Sequence, residues 1–124
     1  MPELLFKQES YILVGICMDI HRTLGHGFKE IVYKDALEYE LQKKGLLFER
    51  EKEFSISYKE IILKHRYYAD FVVNERIILE IKTASAIIDS FVLQTVNYLK
   101  ASNLKLGLVV NFDTSSLEFQ RVVF

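Results

Sequence analysis

The chain has 124 residues, half of them hydrophobic and 13% aromatic, which is enough apolar material for one sizeable core and leaves little room for two. A formal charge of −1 excludes the strongly basic footprint of a general nucleic-acid binder, so any nucleic-acid contact has to be local. No run comes near the roughly 18 to 20 uncharged apolar residues of a membrane span, and "MPELLFKQES" has no basic region leading into an apolar one, so the expectation is a soluble, cytoplasmic protein.

Residues 1–7 are expected to be loosely ordered. From Gln8 to Leu24, Ile12, Leu13, Ile16, Cys17, Ile20 and Leu24 recur at helical spacing, and "GHG" at 25–27 stops the pattern. Cys17, the one cysteine, rules out an intrachain disulfide and a multi-cysteine zinc site, and in that apolar setting it reads as a small buried hydrophobe. His21, His26 and His65 form no pair four residues apart with a glutamate, so the zinc-hydrolase helix pattern is missing. A second helix is expected over residues 29–44, burying Tyr33, Ala36, Leu37 and Leu41, with Gly45 placed to cap it.

The period then changes. Phe54, Ile56 and Tyr58 alternate with Ser55 and Ser57 as a half-buried strand, and the preceding charges "EREKE" at 49–53 read as its solvated start. Two more extended segments, 61–73 and 77–83, are separated by turns at "YKE" and "NER". Ile88, Phe91, Val92, Thr95, Val96 and Leu99 make the stripe of a third helix. A nearly continuous apolar strand at 104–112 and an alternating one at 117–124 end the chain. The order α-α-β-β-β-α-β-β predicts one α/β domain of the α+β kind, with helices on a mixed sheet, since a helix between two strands is how a chain crosses to a parallel neighbour.

Three charges break the apolar pattern of "YADFVVNERIILEIK" at 68–82. In the last strand of this segment Ile77, Leu79 and Ile81 point one way and Ile78, Glu80 and Lys82 the other. Asp70 joins Glu80 and Lys82 only in one register. A two-residue loop, Asn74 and Glu75, pairs Asp70 with Leu79, whereas a three-residue loop, Asn74 to Arg76, pairs it with Glu80, Val72 with Ile78 and Tyr68 with Lys82. The three-residue loop is the expectation, although neither loop contains the glycine that would fix the choice. Facing carboxylates repel across strands, and buried without a partner they are costly. A hard divalent ion such as Mg²⁺ between them removes the conflict, and Lys82 beside them could activate the attacking water or stabilise charge on a phosphoryl group. The bland alternative is a surface strand whose outer face carries a salt bridge.

Asp70 followed ten residues on by "EIK" at 80–82, inside this order of elements, resembles the PD-(D/E)XK nuclease superfamily. More narrowly, "GHGFKEIVY" at 25–33 is similar to the GxxExxY signature through Gly27, Glu30 and Tyr33, and "LQTVNYLKASNLKLGLVVNF" at 93–112 resembles that family's helix-strand end. The resemblance implies a restriction-endonuclease-like core and a nuclease hydrolysing a nucleic-acid phosphodiester, DNA in preference, with Mg²⁺ or Mn²⁺. It implies that Asp70, Glu80 and the backbone carbonyl of Ile81 hold the metal, that Lys82 is the catalytic lysine and that Glu30 is a further acidic group of the centre. Glu30 also reads as a first-turn glutamate favoured by the helix dipole. Tyr33, one turn from Glu30, could orient it or belong to the core, and Gln94 and Tyr98, one turn apart on the third helix, could look into the site. Phe91 stands where relatives often have histidine, and Tyr68 where they often have arginine. The competing reading is a nuclease-like fold with a weakened site, acting as a nucleic-acid-binding or assembly module. A homo-oligomer pairing exposed strands is compatible with either.

Overall fold

The computed structural model describes residues 6–124; the expected loose segment 1–7 lies outside them as far as residue 5. Helix α1 (Lys7–Leu24) opens at Phe6, whose backbone is left-handed, and already includes Lys7. It buries Leu13, Val14, Ile16, Cys17, Ile20 and His21. The expected core residue Ile12 is instead 47% exposed, because the buried stripe runs on the side of Val14 and His21 and leaves Ile12 at its margin. Burial pushes the Cys17 thiol up to about 12, which keeps it protonated and inert.

Helix α2 (Glu30–Lys43) buries Tyr33, Leu37 and Leu41 beneath the sheet. Gly45, at φ 69°, ends it: Gly45 N–H donates to the Gln42 carbonyl at 3.0 Å and Leu46 N–H to that of Leu41 at 3.1 Å, the paired bonds of a Schellman stop. The five strands are β1 (Phe48–Tyr58), β2 (Ile61–Val73), β3 (Ile77–Lys82), β4 (Leu106–Asn111) and β5 (Glu118–Val123), hydrogen-bonded in the order β1-β2-β3-β4-β5. Helix α3 (Asp89–Ser102) makes the crossover that sets β3 parallel to β4, and every other pair is antiparallel.

One face of the sheet, with Phe71, Ile77, Leu79, Ile81, Leu108 and Val110, packs on α1 and α2. The other, with Val72, Ile78, Val109 and Val122, packs on Leu99 of α3 and its neighbours. Gly107 lets α3 lie close to β4, since a Cβ there would meet Thr95 Cγ2 at 2.4 Å. Among the described residues no helix is long and apolar enough to cross a membrane. The element order and the mixed sheet are those expected from the sequence, and they form a restriction-endonuclease-like fold.

Candidate active site

The β2-β3 hairpin takes the three-residue loop. Val73 pairs with Ile77, Val72 with Ile78 and Phe71 with Leu79, so the next step of the same register sets Asp70 opposite Glu80. Asn74 and Glu75 both have positive φ, 55° and 57°, and Arg76 N–H donates to the Val73 carbonyl at 3.0 Å. The turn thus adopts left-handed geometry without glycine.

Beyond Phe71 and Leu79 the backbone ladder stops and side chains take over. Asp70 N–H donates to Glu80 Oε2 at 2.8 Å, and Ile81 N–H donates to Asp70 Oδ2 at 2.8 Å. Each carboxylate therefore spends one oxygen on the neighbouring strand, which wedges β2 from β3 and fixes both acids. For the same reason the expected pairing of Tyr68 with Lys82 is not formed: the ladder ends earlier, Lys82 pairs with Asn111 of β4, and the exposed Tyr68 hydroxyl donates to Glu53 on β1 at 3.4 Å. Asp70 is 8% and Glu80 3% exposed, so a salt bridge on a solvated outer strand face does not describe the pair.

Two buried carboxylates at this separation cannot both ionise cheaply. Burial, then the charge of Asp70, push the Glu80 carboxyl up to about 8, against the opposing pull of the Asp70 N–H, Lys82 and Lys34. Glu30 begins α2 and is half-buried. Its carboxyl is also pushed up, by burial first and then by Asp70, so it lies within electrostatic reach of Asp70 without a hydrogen bond to it. Among the described residues no three His, Cys, Asp or Glu side chains converge on one metal-sized centre.

Lys82 donates to Gln94 Oε1 at 2.9 Å and lies over the Phe91 ring, 4.9 Å from its centroid. Phe91, read from the sequence as a lost contact, thus supports the lysine through its π-face. Tyr98 stacks on Tyr67 at 4.4 Å; burial, then Glu80 and Asp70, push its hydroxyl up to about 12. Gln94 and Tyr98 both come to the site and also line a groove of about 910 Å³ between α3 and the outer part of the β1-β2 hairpin. An apolar groove of about 650 Å³ between α1 and β5 is lined by none of these residues.

The structure does not bring Tyr33 to the carboxylates. Its hydroxyl donates to the Gly25 carbonyl at 2.6 Å and accepts from Phe28 N–H at 3.3 Å, and its fully buried ring stacks on Phe112 at 4.5 Å. Tyr33 therefore pins the turn ahead of Glu30 rather than orienting the Glu30 side chain. Two residues absent from the expected set reach the site instead. Lys34 Nζ stands 2.9 Å from Asp70 Oδ1 and 2.7 Å from Glu51 Oε1. Although its burial alone lowers its basicity, the bonds to Glu51 and Asp70 outweigh it and hold Lys34 up at about 12. Glu51 lies within the "EREKE" segment, which is the start of β1 as expected, with Glu49, Glu51 and Glu53 on its exposed side. The signal for Lys34 was its place one helical turn after Glu30, which puts both on one face of α2.

Asp70, Glu80 and the Ile81 carbonyl are hard oxygen donors, and the burial and then the repulsion from Asp70 that raise Glu80 are costs a divalent cation offsets, so this donor set suits Mg²⁺ or Mn²⁺ completed by waters.

No curated protein is similar enough to match this chain. A solved structure titled "Crystal structure of SSO0001" superposes with a TM-score of 0.62 at 20% identity, covering 74% of this chain, which spans 48% of that one; the likeness is one of fold. The family model described as the PD-(D/E)XK nuclease superfamily matches residues 7–122. With Asp70, Glu80 and Lys82 placed at the point where β2 and β3 part, the chain belongs to the PD-(D/E)XK nuclease superfamily.

Proposed function

We propose that this chain is a divalent-metal-dependent nuclease that hydrolyses a phosphodiester bond of nucleic acid, DNA in preference, in the manner of the GxxExxY branch. The observation that carries the reading is the reciprocal pair of bonds, Asp70 N–H to Glu80 and Ile81 N–H to Asp70, which holds two buried acids side by side next to Lys82. Asp70, Glu80 and the Ile81 carbonyl would hold Mg²⁺ or Mn²⁺. The ion, when bound, supplies Lewis acidity toward the phosphate and toward the attacking water.

The protein's share is positional and electrostatic. Gln94 and the Phe91 ring fix the Lys82 ammonium in one direction, so it orients the water or meets the negative charge that grows on phosphorus oxygens as the new P–O bond forms and the ester P–O bond breaks. Glu30, raised in affinity for protons by burial and by Asp70, would serve as a further acidic group of the centre. Tyr98 closes the side toward α3 and leads into the groove there, where a nucleic-acid strand has hydroxyl, amide and ring surfaces to lie on. The net charge of −1 requires that such contacts be local.

The test is cleavage of single- and double-stranded DNA and RNA with Mg²⁺ or Mn²⁺, comparing the wild type with Glu80→Ala and Lys82→Ala. Both substitutions should lower the rate by about 10²-fold or more, the scale for loss of one transition-state partner. Activity that survives both would refute the assignment, and failure of the folded wild type to bind either metal in calorimetry would leave the assembly module as the better reading.

A further inference from the structure

The Lys34 ammonium is already where a cation is wanted. Asp70 gives Oδ2 to Ile81 N–H and Oδ1 to Lys34, so both of its oxygens are engaged. Lys34 is 9% exposed, and its ammonium spans two acids on adjacent strands, since Arg50 pairs with Phe71 and Lys52 with Ala69, placing Glu51 across from Asp70. Glu51 is half-exposed, and its backbone has φ 55° inside a strand, a conformation that non-glycine residues rarely adopt. A local distortion therefore stands at the residue that shares the ammonium with Asp70. A lysine and a dication cannot share Asp70 Oδ1 without strong repulsion.

We propose that Lys34 is the resident counter-ion of Asp70, and that a divalent cation binds only as the Lys34 ammonium gives up Asp70 and stays with Glu51, so that Lys34 sets the metal affinity of the site and Glu51 is the partner that retains it. This rests on the metal-site reading above. Lys34 reaches Asp70 from α2 while Glu51 approaches from β1, and the ammonium already bonds both acids, at 2.9 and 2.7 Å, so Glu51 can keep hold of it when Asp70 lets go. Glu80, Glu30 and Lys82 are the other charges that face this cluster.

The probe is Mn²⁺ alone, titrated calorimetrically into the full chain as wild type, Lys34→Met and Glu51→Gln. Lys34→Met should bind at least tenfold more tightly than the wild type. Glu51→Gln should bind several-fold more weakly, having lost the partner that retains the ammonium. Metal-free Lys34→Met should melt at a lower temperature and recover on addition of Mn²⁺. Equal or weaker binding by Lys34→Met, with the wild type binding normally, overturns this inference alone. Absence of binding by both proteins overturns it together with the metal reading. Should Lys34→Met not fold, the ammonium NMR resonance of wild-type Lys34 decides: it should move as Mg²⁺ saturates the site, and a resonance that stays put under saturation overturns the proposal.

Discussion

In the metal-free protein, Glu80→Gln should abolish most of the acid-side pH dependence of stability. The Glu80 carboxyl stands at about 8 in the fold against 4.5 for the free side chain. Between those values the folded protein retains a proton that the unfolded chain releases, so the unfolded state gains relative to the native one as pH rises. Each pH unit in that window removes up to about 1.4 kcal/mol. From pH 5 to pH 7 the ceiling is thus about 3 kcal/mol, and roughly half of that is the working expectation, because the charges of Asp70, Lys82 and Lys34 rearrange as Glu80 ionises. Lys34 does not blur the window: its folded value lies above its ordinary one, so its stabilising share is present below about 10.5 and is lost only as pH approaches 12. Glu30 is shifted in the same direction as Glu80 and leaves a residual slope of the same sign. Glutamine keeps the acceptor for Asp70 N–H without the charge, so the variant should equal the wild type near pH 5 and exceed it by about 1–3 kcal/mol near pH 7. Urea denaturation in a chelator at half-unit steps from pH 5 to 8 measures this. A wild-type stability that is flat or rises over the same range, in parallel with Glu80→Gln, would show that the carboxyl is not held protonated by its surroundings.

Two further substitutions examine what positions the site. Gly107→Ala puts a methyl group 2.4 Å from Thr95 Cγ2 and should cost about 1–3 kcal/mol by overpacking α3 against β4; Thr95→Ser removes that methyl and should restore much of the loss in the double variant, as read from the denaturation midpoint. Glu75→Gly removes a side chain at φ 57° in the β2-β3 turn and should stabilise the protein by about 0.5–1 kcal/mol, since the relieved left-handed conformation outweighs the added freedom of the unfolded chain. A loss of stability in thermal melts would mean that the turn geometry is set by something other than local backbone preference.

What the sequence made legible is whatever depends on parity and period. Alternation along Ile77–Lys82 is enough to put Glu80 and Lys82 on one face, and the choice between two loop lengths decides the position of Asp70; the Val73–Ile77 pair selects the longer loop. What it hid is whatever depends on a second register or on backbone torsion. Glu51 meets the site because β1 starts at Phe48 and Arg50 and Lys52 on either side of it pair with Phe71 and Ala69, a register that the alternation of the strand does not reveal. Its positive φ has no glycine or asparagine to announce it. Lys34 sits one turn from Glu30, but a lysine on a helix is ordinarily solvated, and only the two acids brought over by the sheet make its burial tolerable. Phe91 shows the converse: from the sequence it counts as a lost contact, and the fold gives its ring Lys82 to hold. These observations have one physical root. The fold gathers carboxyl groups from three strands at the place where β2 and β3 separate, and such a gathering persists in a folded chain only with positive charge among them or a proton kept on one of them, as on Glu80. In the metal-free protein Lys34, bonded to Asp70 and Glu51, and Lys82 beside Glu80 provide that charge, so on the proposal above the lysine that steadies the fold is also the one a metal would displace.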